Sequence, residues 1–364
     1  MWIIGFLLLL GPLVTLHELG HYLVGRWFGV QADAFSIGFG REIAGWTDSR
    51  GTRWKLATIP LGGYVQFKGD MNPASIPDQE ALARTRPEDR EGSFHCKPLW
   101  QRALIVFAGP ATNILITVAI FASFNLAYGR FEANNEIARF AEQSVARDAG
   151  MQVGDEIVSI DGKPVDDFAE IGRQVLMYPG KAVDIVIERD GAAQTIPVTI
   201  GESIETDQFG NSSRVGRLGV YSGPPEIVPV GVPQAIGLAF SQSWDLVDMM
   251  VTGIRQIVTG DRSVKELGGP IKIAKYSGEQ LSLGPQAFVS FAALISINLA
   301  FINLLPIPAL DGGHLAFYAA EAVRRKPVGP RGQEWAYRTG VALVLALMLV
   351  VTVNDLVSLP IFGR

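Results

Sequence analysis

An α-helical polytopic membrane protein with about four transmembrane helices, a membrane-associated β-hairpin and one inserted extracytoplasmic α/β domain is the fold class this sequence predicts. Three observations lead there. Of 364 residues, 48% are hydrophobic and only 18% are charged, a balance that suits a chain meeting lipid as well as water. The apolar residues are gathered into separate runs near the ~20 residues that a helix needs to cross a bilayer. Between the second and third runs lies a long polar stretch with the alternation and turn residues of strands.

The first span covers 1–26 and contains His17-Glu18-Leu19-Gly20-His21. On a helix, His17 and His21 are i and i+4, so both imidazoles project from one face. Two neutral imidazoles so placed can hold Zn2+, and Glu18 between them can act as general base toward a water the metal activates. A chance pair of solvated histidines is the bland alternative. It loses weight because the chain has only four His and because ionisable groups at membrane depth are costly and usually functional. The run does not read as a cleaved signal peptide. No basic region precedes it, no small-residue cleavage site precedes the pair, and cleavage would discard the motif.

Residues 27–102 form a segment with the expected hairpin. Phe35–Gly40, Trp54–Ile59 and Pro60–Phe67 read as strands, with Asp48-Ser49-Arg50-Gly51 as a turn. A strand edge beside the histidines would let an extended peptide add as another strand; an ordinary hairpin is the alternative. The stretch 72–93 is polar, charged and proline-containing, and reads as a mobile linker. The second span covers 103–128 without a charge.

Residues 129–284 hold the inserted part. Strands are expected at Glu156–Ile160, Ala182–Arg189 and Thr195–Ile200, a turn at Asp161-Gly162 and a helix at Asp167–Met177, giving a domain over 129–203. The connector 204–284 has an amphipathic helix at Val232–Thr259, either on the membrane face or packed on the domain. The third span, 285–311, ends in Asn303-Leu-Leu-Pro306-Ile-Pro308-Ala-Leu-Asp311-Gly312-Gly313-His314. A loop at 312–338 and a fourth span at 339–357 follow.

Basic residues set the orientation. Arg41, Arg50, Arg53, Lys55 and Lys68 lie between the first two spans, and Arg324, Arg325, Lys326 and Arg331 between the last two. The positive-inside rule puts both segments in the cytoplasm and the N-terminus and inserted domain outside. His17, His21 and Asp311 then reach similar depth on the cytoplasmic side. His, His and Asp complete three protein ligands and leave a fourth zinc position for water. A turn residue is the alternative for Asp311, and His314 is a rival ligand; the matching depth favours Asp311. A single cysteine, Cys96, excludes an internal disulfide and a cysteine-based zinc site. The net charge of −5 gives no signal for nucleic acid.

Together the motifs resemble those of the site-2 protease family of intramembrane zinc metalloproteases, and are most similar to its bacterial regulator-of-sigma-E protease type. His17-Glu18-Leu-Gly-His21 matches the first family motif and Asn303-x-x-Pro306-x-Pro308-x-x-Asp311-Gly312 the second. Gly109-Pro110-x-x-Asn113 and Leu267-Gly-Gly-Pro-Ile271 are also familiar, so the likeness covers nearly the whole chain. The resemblance implies zinc on His17, His21 and Asp311, with Glu18 as catalytic base. It implies a membrane-reentrant β-loop in 27–102, and substrate contacts from Asn298, Asn303, Tyr64, Asn113, Pro306 and Pro308. Helix–helix hydrogen bonding is the competing role for Asn298 and Asn113. Residues 149–165 resemble a PDZ domain, which binds peptides or filters substrates by size; some relatives carry two such domains where this chain has room for one. The implied substrates are single-span transmembrane proteins, such as an anti-sigma factor pre-cleaved by a site-1 protease or remnant signal peptides. The implied setting is the bacterial inner membrane, and the implied process a stress response. A metal transporter is the rival class, but it would spread ligands along a path. A silent scaffold is another, but it has no use for Glu18.

Overall fold

The computed structural model describes residues 1–69, 92–206, 212–266, 268–326 and 329–357. Most of the linker expected over 72–93 lies outside these residues, as does Leu267 of the Leu-Gly-Gly-Pro-Ile motif. The chain divides into two compact units. One comprises Met1–Phe121, Gln242–Val247 and Gly268–Asp355; the other comprises Ala122–Ser241, Asp248–Leu267 and Leu356–Arg364.

The first unit is built on apolar helices. Among the described residues, four helices are long and apolar enough to cross a membrane: Trp2–Trp27, Leu99–Tyr128, Pro285–Leu304 and Gly332–Val357. The first three are α1, α2 and α7, and the fourth is most of α9, Pro330–Val357. Within the expected 285–311 span the helix stops at Leu304, and the fourth helix begins well before the expected 339. Pro306 and Pro308 of the third span break its helix before Asp311, because each lacks an N–H and drives the residue before it out of the helical region. Leu305 is accordingly extended, with φ −61° and ψ 141°. Asp311 instead opens a new helix, α8, Asp311–Arg324.

A further helix, α6, covers Pro270–Leu283, where only a connector was expected. It packs on the first half of α1, where Gly5 meets the Ser277 and Gly278 backbone with no room for a side chain. Small residues are what allow such backbone contact between helices in lipid. Its N-terminus is capped from afar. Asp355 in the last turn of α9 accepts from the N–H groups of Gly269, Ile271 and Lys272 at 3.1, 3.1 and 3.0 Å. A carboxylate answers both the orphan donors and the positive end of that helix.

Strands β1 (Ala32–Thr47) and β2 (Arg53–Phe67) pair with each other. They are more curled than a simple hairpin. Residues 34–37 pair with 63–66 on one side and with 53–56 on the other, while 44–47 pair with 53–56 from the far side. Gly38 and Gly40, at φ +94° and +92°, permit the bend. Among the described residues, the edge segment 63–66 is paired on one side only. Phe35, Val65 and Phe67 join Tyr22 of α1 and Ile105 of α2 in one core cluster, which anchors the curl to the helices.

The second unit centres on a four-stranded antiparallel sheet in the order β6-β5-β7-β8, with β5 Glu156–Ile160, β6 Lys163–Pro164, β7 Ala182–Arg189 and β8 Ala192–Thr199. Alternation in β7 sends Val183, Ile185 and Ile187 into a core shared with Ile137, Ile157 and Ile200. The turn at Asp161-Gly162 has both residues left-handed, at φ +53° and +76°. Helix α4, Phe168–Leu176, is capped by Asp167, whose Oδ1 accepts from Ala169 N at 2.8 Å. Helix α5 covers Val232–Thr259. Its Gln256 Nε2 donates to Met177 O at 2.5 Å at the end of α4. A short helix, α3 (Val145–Asp148), and small pairs complete the unit: β9 Gly201–Thr206 with β10 Ser212–Arg217, β4 Arg139–Phe140 with β11 Val220–Tyr221, and β3 Arg130–Glu132 with β12 Glu226–Val228.

Candidate active site

Helix α1 carries His17, Glu18 and His21 into a cavity of about 580 Å³. The cavity is walled by α1, α2, the curled strands and the break between α7 and α8, and Glu18, Tyr64, Asn113, Asn303, Asp311 and His314 line it. Asn298, Pro306 and Pro308 do not. Asn298 is half-buried on α7, and the prolines act by shaping the break.

The break brings Asp311 to the histidines. Its backbone closes on itself through Ile307 N to Leu305 O at 2.7 Å and Leu310 N to Ile307 O at 3.0 Å. Ala309 is held at φ +90°, a strained conformation for a residue with a Cβ. Gly312 and Gly313 follow because nothing larger fits: a Cβ on either would collide with the carbonyls of Leu305 or Ile307. Gly340 of α9 meets Pro308 O in the same way. The glycines after Asp311 are therefore close-approach residues inside a helix, which removes the turn as the alternative for this stretch.

Asp311 Oδ2 lies 3.2 Å from His17 Nε2 and 3.6 Å from His21 Nε2, and the two Nε2 atoms are 3.2 Å apart. Among the described residues these three form the group able to hold a metal ion. The triangle fits zinc. Donors about 2.0–2.1 Å from a tetrahedral ion stand about 3.3–3.4 Å from one another. Asp311 Oδ2 is buried with no hydrogen-bond partner, a costly state for an acceptor unless a cation meets it. His21 Nδ1 donates to Ile105 O at 2.8 Å, which leaves its Nε2 as the bare, ligating atom. His314 lines the cavity but stands outside the triangle, so the rival ligand assignment finds no support here.

Two residues of α2 complete the site. Gly109 faces the ligating edge of both rings, and a Cβ there would overlap His21 Nε2 and reach within 2.8 Å of His17 Cε1. Asn113, one turn later, is fully buried and its Nδ2 stands 3.2 Å from His17 Nδ1. The Gly-Pro-x-x-Asn pattern is legible in the sequence but the role of Gly109 is not, although its four-residue spacing from Asn113 places both on one helix face. Glu18 sits close to the curl: its Cγ is 3.3 Å from the position of a Cβ on Gly63. A glycine there brings the 63–66 edge against the acid.

Comparison with known proteins gives a consistent answer. The family model described as "Peptidase family M50" matches residues 5–347. A protein of Rhizobium meliloti named "Putative zinc metalloprotease" is 43% identical over 96% of this chain and 95% of its own. A protein of the same name from Agrobacterium fabrum is 41% identical over 98% of this chain and 96% of its own. "Metalloprotease MmpA" of Caulobacter vibrioides is 34% identical over 99% of this chain and 96% of its own.

Proposed function

The chain belongs to peptidase family M50, and on that premise we propose that it is a site-2-type zinc endopeptidase that cleaves single-span membrane proteins within the bilayer. The observation that carries this reading is the His17–His21–Asp311 triangle, beside Glu18, in one cavity among apolar helices.

Zinc held by His17, His21 and Asp311 supplies a Lewis acid and lowers the pKa of water toward about 7. Glu18 takes the proton of the attacking water and returns it to the leaving nitrogen. The peptide must be extended at the scissile bond, because helical carbonyls are shielded by their own hydrogen bonds. The 63–66 edge offers unpaired backbone groups for such a strand, and the Asn303 amide and Tyr64 hydroxyl face the same space with donors and acceptors. Arg50, Lys55 and their neighbours support, by the positive-inside rule, a cytoplasmic side for the curled strands in a bacterial inner membrane and an external one for 129–284. The sheet of the second unit then serves as a PDZ-like filter that keeps proteins with bulky external domains away, so substrates arrive pre-cleaved, as an anti-sigma factor would.

The test compares membranes carrying the wild type with membranes carrying Glu18→Gln. Trimmed single-span proteins accumulate in the variant, which keeps its zinc and loses cleavage. Identical membrane proteomes, or a purified variant that cleaves at the wild-type rate, would defeat the mechanism.

A further inference from the structure

Zinc binding through Nε2 places a demand on the far side of each imidazole. A neutral ring carries one proton, and if Nε2 ligates, that proton sits on Nδ1 and needs an acceptor. His21 finds one in the Ile105 carbonyl at 2.8 Å. His17 is the more deeply buried ring, 7% exposed, and the group beside its Nδ1 is the side-chain amide of Asn113 at 3.2 Å. The other amide atom, Oδ1, is buried and has no partner. A half-turn of the amide exchanges the two atoms within the same space. It gives Nδ1–H its acceptor and removes a buried unsatisfied oxygen in one move.

The backbone at this point is held from two directions. Asn113 O accepts from Thr117 Oγ1 at 3.0 Å and from Ser296 Oγ of α7 at 2.9 Å, while Thr117 Oγ1 also reaches Ala293 O at 3.1 Å. All three polar side chains are fully buried. A position fixed in this way sets the amide, and through it the ring, with little freedom.

We propose that Asn113 is a positioning residue: its Oδ1 accepts the Nδ1–H of His17 and holds that imidazole with a bare Nε2 facing His21 and Asp311. This rests on the zinc reading above and assigns Asn113 to the metal site rather than to substrate. The two rings are thus oriented by different devices, a backbone carbonyl for His21 and a buried amide for His17. Only the second can be removed by substitution.

The experiment measures Zn2+ affinity of the full chain in detergent by chelator competition, for wild type, Asn113→Leu and Asn113→Asp. Partners of this kind are worth about 10–100-fold in metal affinity. The Leu variant, similar in size without an acceptor, loses that much; the Asp variant, which keeps an acceptor, stays near wild type. A Leu variant with wild-type affinity overturns the proposal, and so does equal loss in folded Leu and Asp variants. Should the Leu variant not fold, Co2+-substituted wild type decides: an exchangeable His17 N–H resonance with one neighbouring ring C–H is the Nδ1–H that the proposal needs, and one with two neighbouring ring C–H groups is an Nε2–H and overturns it. Wild type that binds no zinc overturns the parent reading as well, which separates the two failures.

Discussion

The two units solve opposite packing problems. The α/β unit excludes water by apolar alternation: Ile157, Ile185 and Ile187 are fully buried in a core of aliphatic residues, and many similar side chains would fill it. The helical unit has no water to exclude from its apolar helices, so its specificity comes from small residues and paired polar groups. Gly5, Gly109, Gly312, Gly313 and Gly340 each stand where a Cβ would collide, and Asn113, Thr117, Ser296 and Asp355 are buried with partners. A core of the first kind yields gradually to substitution, whereas one of the second kind fails at single atoms.

Gly109→Ala is the sharpest way to break that contrast. One added methyl falls on the ligating edge of His21, so the folded variant should lose zinc by more than the 10–100-fold of an outer partner, read by metal content after purification. A variant that retains zinc would place the metal elsewhere. Removing most of the α/β unit should do the reverse. Arg130–Glu132 and Glu226–Val228 pair antiparallel with Glu132 opposite Glu226, so replacing 133–225 by an Asn-Gly turn closes a hairpin of familiar geometry. Zinc content and cleavage of trimmed substrates should persist, and proteins with bulky external domains should become substrates. Loss of trimmed-substrate cleavage in a folded, zinc-loaded variant would show recruitment rather than filtering.

The same contrast explains what could be read from the sequence. His17, Glu18 and His21 are neighbours on one helix, so their spacing alone states their geometry, and strands such as Ala182–Arg189 announce themselves by alternation. Contacts between distant segments are silent. The role of Gly312 and Gly313 was not legible, because a close carbonyl leaves no mark on local pattern. Helix α6 went unseen because Lys272 and Lys275, both buried, interrupt its apolar face, and its cap comes from Asp355 far along the chain. The curl of β1 and β2 depends on long-range pairing that Gly38 and Gly40 permit but do not specify.

In the α/β core, Ile185→Ala should cost about 2–5 kcal/mol of that unit's stability, seen as faster amide exchange in β5 and β7, with zinc affinity unchanged. Altered zinc affinity would mean that the two units are coupled.

The smallest effect concerns a buried ion pair of that unit. Asp155, 1% exposed in its side chain, receives Arg189 Nε at 2.6 Å and Nη2 at 2.7 Å, and the Gln152 N–H at 2.7 Å. Burial pushes its carboxyl up, but Arg189 and the Gln152 N–H outweigh that and hold it below the usual carboxylate range. A carboxylate whose pKa is lower folded than unfolded stabilises the fold above its unfolded value of about 3.9, and that stability is lost as pH falls through the folded value. Exchange protection of β5 and β7 should therefore hold at neutral pH and weaken below about pH 4. Arg189→Met should lower it at neutral pH and flatten the acid dependence. An acid limb equally steep in wild type and variant would assign that dependence to other carboxylates and leave the pair a purely geometric clasp between β7 and the Gly150–Asp155 turn.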